Sequence, residues 1–127
     1  MTGAALCFEG IAVKFGEREV LRGVSLEVPE GAVVALAGRN GAGKTTLLRV
    51  ASRVLRPSAG RVLIRGAPID GFSRRDLAKE LAVVPQDTPV SFPFRVVEVV
   101  LMGRSPHLGV LGFESHADVA LARDVMA

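Results

Sequence analysis

Val33-Val34-Ala35-Leu36-Ala37-Gly38-Arg39-Asn40-Gly41-Ala42-Gly43-Lys44-Thr45-Thr46 joins three kinds of sequence in one short span. Val33 to Ala37 is a continuous apolar run of strand length. Such a run suits a strand buried on both faces of a parallel sheet. Gly38 to Thr46 fits G-x-x-x-x-G-K-[ST], with Gly38, Gly43, Lys44 and Thr45 at the defining positions. By chance the pattern arises in roughly one chain of this length in 300, and the flanking strand and helix signals narrow it further. From Lys44 to Leu55 the spacing predicts a helix, with Leu47, Leu48, Ala51, Val54 and Leu55 on its apolar face and Pro57 ending it.

The chemistry of that loop follows from its residue types. Glycines let the backbone curl so that successive N–H groups of residues Gly38, Arg39, Asn40, Gly41, Ala42 and Gly43 face phosphate oxygens. The helix that opens near Gly43 adds free N–H groups and its positive dipole end. Lys44 brings a full charge to the β- and γ-phosphates. The Thr45 hydroxyl suits Mg²⁺, a cation that prefers oxygen ligands. Thr46 offers a backbone N–H and a hydroxyl to the α-phosphate. A glycine-rich loop that merely caps a helix would have no use for a lysine at this point.

Elsewhere the chain reads as one α/β arrangement. Leu6 to Phe15 and Val20 to Val28 predict a β-hairpin across the polar turn Phe15-Gly-Glu-Arg-Glu19. Arg61 to Ile64 and Ala82 to Val84 read as short strands. Ser73-Arg-Arg-Asp76 predicts a helix start running to about Leu81. Thr88 to Phe94 is rich in Pro and Phe and reads as a loop. Val96 to Met102 reads as a short helix stopped by Gly103, and Ser115-His-Ala-Asp118 opens another.

Composition bounds the function classes. The chain has 127 residues, 49% hydrophobic and 23% charged, which fits one globular domain or a piece of one and argues against disorder. Its charge-free runs, Gly31 to Gly38 and Ser105 to Phe113, fall short of the ~18–20 apolar residues of a membrane helix. The N-terminus has no basic segment before an apolar core, so no signal peptide is expected. Cys7 is the only cysteine, which fits a reducing cytosolic setting. The net charge is +3, but the positives are interleaved with acids and no aromatic residues alternate with them, so no nucleic-acid partner is expected. His107 and His116 lack partners at metal-ligand spacing.

The phrase VLRGVSLEVPEGAVVALAGRNGAGKTTLLRVASRVLRPSAGRVLIRGAPI resembles the N-terminal core of ATP-binding cassette (ABC) nucleotide-binding subunits. The phrase LAKELAVVPQDTPVSFPFRVVEVVLMGRSPHLG resembles the branch serving iron–siderophore, haem and vitamin B12 (cobalamin) import. The resemblance implies an α/β fold: a P-loop NTPase core with an N-terminal antiparallel β layer, together an incomplete ABC nucleotide-binding domain. Residues 1–127 would be its N-terminal part, with about 1–87 forming the β layer and core and about 88–127 starting a helical subdomain. It implies ATP and Mg²⁺ as cofactors and ATPase activity in the complete subunit.

Residue by residue, Phe15 lies where the family stacks an aromatic on adenine. It replaces the usual tyrosine, so it would stack without offering a hydroxyl. Gly38 to Thr46 match the phosphate loop, with Arg39 where proline is frequent. Gln86 matches the family's Q-loop glutamine, which would join Thr45 at the metal or orient the attacking water. The Gln86 to His107 stretch would meet transmembrane permease subunits, with Phe92, Phe94 and Leu108 either forming an apolar patch or packing inside the subdomain. A second copy of the subunit would complete the site. The location implied is cytoplasmic, peripheral on the inner face of the membrane.

No signature sequence, acidic pair after a second strand, or switch histidine is read in this chain. In the family these lie beyond the position of Ala127. The expectation is that residues 1–127 alone fold poorly and do not hydrolyse ATP. Two other readings stand beside this one: a non-transport ABC protein acting on DNA or ribosomes, and a short nucleotide-binding protein without catalysis.

Overall fold

The computed structural model describes residues 3–87 and 92–127. The chain divides into two compact units, one reaching to Glu80 and one from Leu81 to Ala127.

The first unit is built on a hairpin. Strand β1 (Ala4–Phe15) pairs antiparallel with β2 (Arg18–Pro29), and the turn lies between the paired residues Phe15 and Arg18. Its turn is local, so the pairing needs nothing distant in sequence. Phe8, Ile11 and Val13 of β1 are all buried, although Phe8 and Ile11 are out of step for a regular strand. A bulge between them, where the Gly10 N–H donates to Ser25 Oγ at 2.9 Å, returns the apolar residues to one face.

Strand β3 (Ala59–Ile64) pairs with the other edge of β1, and β4 (Ala67–Pro68) closes the sheet in the order β2-β1-β3-β4. The β3–β4 turn is Arg65-Gly66, both at positive φ (48° and 80°), which suits the strand twist of a two-residue hairpin. The Arg65 side chain leaves that turn to meet Glu30 at 3.1 Å and Glu80 at 3.3 Å.

Helix α1 (Lys44–Ala51) buries Leu47, Val50 and Ala51, an i, i+3, i+4 stripe. This corrects the expected apolar face. Leu48 and Val54 are exposed, and Val50 takes their place inside. The helix also ends before Pro57. Ser52 caps it, Arg53 turns left-handed at φ 57°, and two backbone bonds close the end. The Arg53 N–H donates to the Val50 carbonyl at 3.1 Å, and the Val54 N–H to the Arg49 carbonyl at 2.9 Å. This is a Schellman closure with arginine where glycine is usual. The Arg53 guanidinium donates to the Ile69 and Phe72 carbonyls at 3.2 and 2.6 Å.

Helix α2 (Arg74–Glu80) starts as read: the Asp76 N–H donates to Ser73 Oγ at 3.1 Å, and Leu77 is buried. The expected strands at 33–37 and 82–84 do not form. Both segments are exposed, and Val33 is fully so. A parallel strand exists only through its neighbours, and these segments find none among the described residues.

The second unit contains α3 (Val96–Met102) and α4 (His116–Met126), which pack on each other. The Glu98 carboxylate accepts the Arg95 N–H at 2.7 Å and caps α3. Ser115 caps α4 by accepting the Asp118 N–H at 3.2 Å, while Asp118 accepts the Ser115 N–H at 2.9 Å. Arg104 reaches back to Asp118 at 2.7 Å and ties the connecting segment to the helix. Of the expected Pro/Phe loop, residues 88–91 lie outside the described residues. Phe92 and Phe94 are exposed, edge to face at 6.1 Å, and Leu108 is half-buried.

Candidate functional site

The loop before α1 is held by its own backbone. The Ala42 N–H donates to the Arg39 carbonyl at 3.1 Å and makes a turn inside it. Gly43, the helix N-cap, sits at φ 94°. A side chain there would be strained and would also strike β2: a β-carbon would lie 2.6 Å from Leu21 Cδ2 and 3.3 Å from the Val20 carbonyl oxygen. The loop is therefore pressed against the hairpin at one point.

The first intrahelical bond runs from the Leu47 N–H to the Gly43 carbonyl at 2.9 Å. The N–H groups of Lys44, Thr45 and Thr46 precede it and have no helical acceptor. The first turn holds no acidic residue and instead begins with a lysine. A cation at the positive end of a helix is unfavourable by about 0.3–1 kcal/mol. The fold offsets this locally: Lys44 Nζ donates to the Gly38 carbonyl at 2.6 Å and the Arg39 carbonyl at 2.8 Å. The result is three N–H groups at the helix start beside one ammonium, without a carboxylate in the first turn. That donor set fits a phosphate chain.

The sequence-derived residues fall into two groups. Gly38, Arg39, Asn40, Gly41, Ala42 and Thr45 are exposed, while Gly43, Lys44 and Thr46 are half-buried, as one loop and helix start. Phe15 belongs to the same unit. It stands at the hairpin end, 51% exposed, so it is not a core residue. It pairs with Arg18, three positions along β2 from Leu21, about 10 Å from where the hairpin meets Gly43. Gln86 lies in the second unit, exposed and outside any helix or strand. Thr45 and Gln86 both present oxygen donors of the kind Mg²⁺ takes. Val20 and Leu21, which brace the loop, were not picked out from the sequence, because no local pattern marks a contact between a hairpin and a distant loop.

Comparison with known proteins agrees with this geometry. The ABC transporter family profile matches residues 21–125. The hemin import ATP-binding protein HmuV of Gloeobacter violaceus is 43% identical over 118 residues, covering 93% of this chain and 42% of that protein. The cobalamin import ATP-binding protein BtuD of Halobacterium salinarum is 38% identical over 121 residues, covering 93% of this chain and 30% of that protein. Among solved structures, an ABC transporter described as of metal-chelate type, in an inward-facing conformation, superposes with a TM-score of 0.75. It is 24% identical, with 99% of this chain and 44% of that one covered, and shows the shared fold. The chain thus spans well under half the length of these relatives. A glycine loop braced on an antiparallel hairpin, opening a helix with lysine first, lies within a profile that covers most of the chain: the chain belongs to the ABC transporter family.

Proposed function

We propose that this chain is the ATP-binding part of an importer subunit that energises uptake of a metal chelate, of the iron–siderophore, haem or cobalamin kind. The observation that carries the reading is Lys44 at the first position of α1, bonded to loop carbonyls beside three N–H groups without helical acceptors. A bound anion reverses the sign of that otherwise unfavourable placement.

In this reading the loop between Gly38 and Gly43, apart from the Ala42 N–H that closes its turn, and the amides of Lys44, Thr45 and Thr46 cradle the phosphates. Lys44 neutralises charge on the outer two. Phe15 stacks on the adenine ring through its exposed face. Thr45 would offer its hydroxyl to Mg²⁺, which would supply charge neutralisation on the phosphate oxygens, and the resemblance supports Gln86 as a second oxygen ligand. Catalysis of hydrolysis belongs to the complete subunit, paired with a second copy. The Gln86 to His107 stretch meets transmembrane permease subunits and would keep the protein at the cytoplasmic face of the membrane. No helix among the described residues is long and apolar enough to cross it. The resemblance supports residues 1–87 as β layer and core, with 88–127 opening the helical subdomain.

The test is nucleotide binding with and without Mg²⁺, on the chain and on Lys44→Ala. Micromolar binding, weakened at least tenfold by the substitution, is expected, since a charge-assisted phosphate contact contributes about 1.5–3 kcal/mol. Equal affinity in the two proteins would reject the loop as the site. Chelate uptake by cells carrying the complete subunit, lost on the same substitution, tests the transport role.

A further inference from the structure

The far end of α1 carries a second concentration of positive charge. Arg53, Arg56, Asp70, Phe72 and Arg74 line a cleft of about 390 Å³, within the size range of small-ligand sites. Three arginines line it beside one acidic residue, Asp70. Neither Arg56 nor Arg74 forms an ion pair among the described residues.

Arg53 is fixed there by the backbone. It holds a left-handed conformation in which glycine is the favoured residue, and its guanidinium is pinned by the Ile69 and Phe72 carbonyls. Only one of its terminal nitrogens makes those two bonds. Cations near a helix C-terminus are favoured by the dipole without any ligand. That accounts for Arg53 and Arg56. It does not account for Arg74, which comes from a different element and lines the same cleft.

We propose that this cleft binds a phosphate-bearing anion, separately from the nucleotide loop. The two sites lie at opposite ends of α1, about 12 Å apart along its axis. A planar guanidinium matches phosphate oxygens in pairs, and several converging guanidiniums select a multiply charged group over chloride. The phosphate belongs either to an anionic lipid headgroup or to a small soluble phosphate compound.

The experiment uses the full natural chain carrying Lys44→Ala, which weakens the nucleotide loop, at fixed physiological ionic strength. One arm titrates inorganic pyrophosphate by calorimetry. The other floats the protein with vesicles of phosphatidylglycerol in phosphatidylcholine, against phosphatidylcholine alone. Both are repeated with Arg56→Gln and Arg74→Gln together. Binding in either arm, weakened about tenfold or more by the double substitution with the melting temperature unchanged, supports the site. Pyrophosphate binding identifies a soluble phosphate, and binding only to phosphatidylglycerol vesicles identifies the headgroup. If the glutamine pair destabilises the fold, Arg56→Lys with Arg74→Lys keeps charge but removes the paired geometry, and must still weaken binding. No binding to either probe, or binding unchanged by the substitutions, overturns the proposal.

Discussion

Leu21 of β2 fills the space that a side chain on Gly43 would need, its Cδ2 standing 2.6 Å from the position of such a β-carbon. This contact sets the height of the glycine-rich loop over the hairpin. Gly43→Ala combines that overlap with a backbone at φ 94°. The expected cost is about 2 kcal/mol of stability, from the left-handed backbone and overpacking together. Denaturant unfolding measures it. Nucleotide affinity should fall as well, because the loop must lift off β2. A variant as stable and as tight as the parent would mean that the loop is not braced there.

Phe15 offers a separate test of the base. Half of it faces solvent, so Phe15→Ala should change stability by less than about 1 kcal/mol. The same substitution should weaken ATP by about 1–3 kcal/mol of stacking. Pyrophosphate, which has no base, should bind equally to both proteins. Phe15→Tyr should retain ATP affinity. If ATP binding ignores the alanine variant, the adenine lies elsewhere.

Asp118 carries the pH dependence of the second unit. Hydrogen bonds from the Ser115 hydroxyl and backbone, and then Arg104, hold its carboxyl at about 2, below the ordinary 3.8. The depressed value belongs to the folded state. Its contribution is therefore complete above about pH 4 and disappears as the pH falls toward 2. A carbon-detected NMR titration should place its midpoint near 2 in the parent and higher in Ser115→Ala. An unshifted midpoint in the parent would remove Asp118 as the α4 cap.

Val33 to Ala37 donate no backbone hydrogen bonds among the described residues. In the 127-residue chain their amides should exchange with solvent close to open-chain rates, while those of Ile11 and Val13, inside the β1 ladders, are protected. Slow exchange at residues 33–37 would show that the segment has found a pairing partner, in the same chain or another.

These residues also mark how far the sequence could be read. The hairpin was legible because its turn and its alternation are local. The start of α1 was legible from Gly43-Lys44, and both Ser-based caps from their three-residue spacing. The end of α1 was not: Arg53 occupies a backbone position that glycine usually announces, and Pro57 drew the boundary too late. The segments 33–37 and 82–84 have strand composition, but strandedness depends on neighbours that composition does not supply. In the proposed site, the glycine-rich loop could be named residue by residue, because the function proposed for it rests on backbone N–H groups at fixed spacing. Its support by Val20 and Leu21 could not, since that contact depends on tertiary packing.

The two bonds from Lys44 to the Gly38 and Arg39 carbonyls bear on how quickly and how tightly a ligand is held. A free lysine loses roughly 1.5–2 kcal/mol of rotamer entropy when immobilised. Here the ammonium is immobilised by folding, so an arriving phosphate does not bear that loss again. It must instead compete with two carbonyl oxygens for the same protons. On the proposed function, binding would be an exchange of partners around an ammonium already in position, its off-rate governed by how readily the carbonyls take the proton donors back.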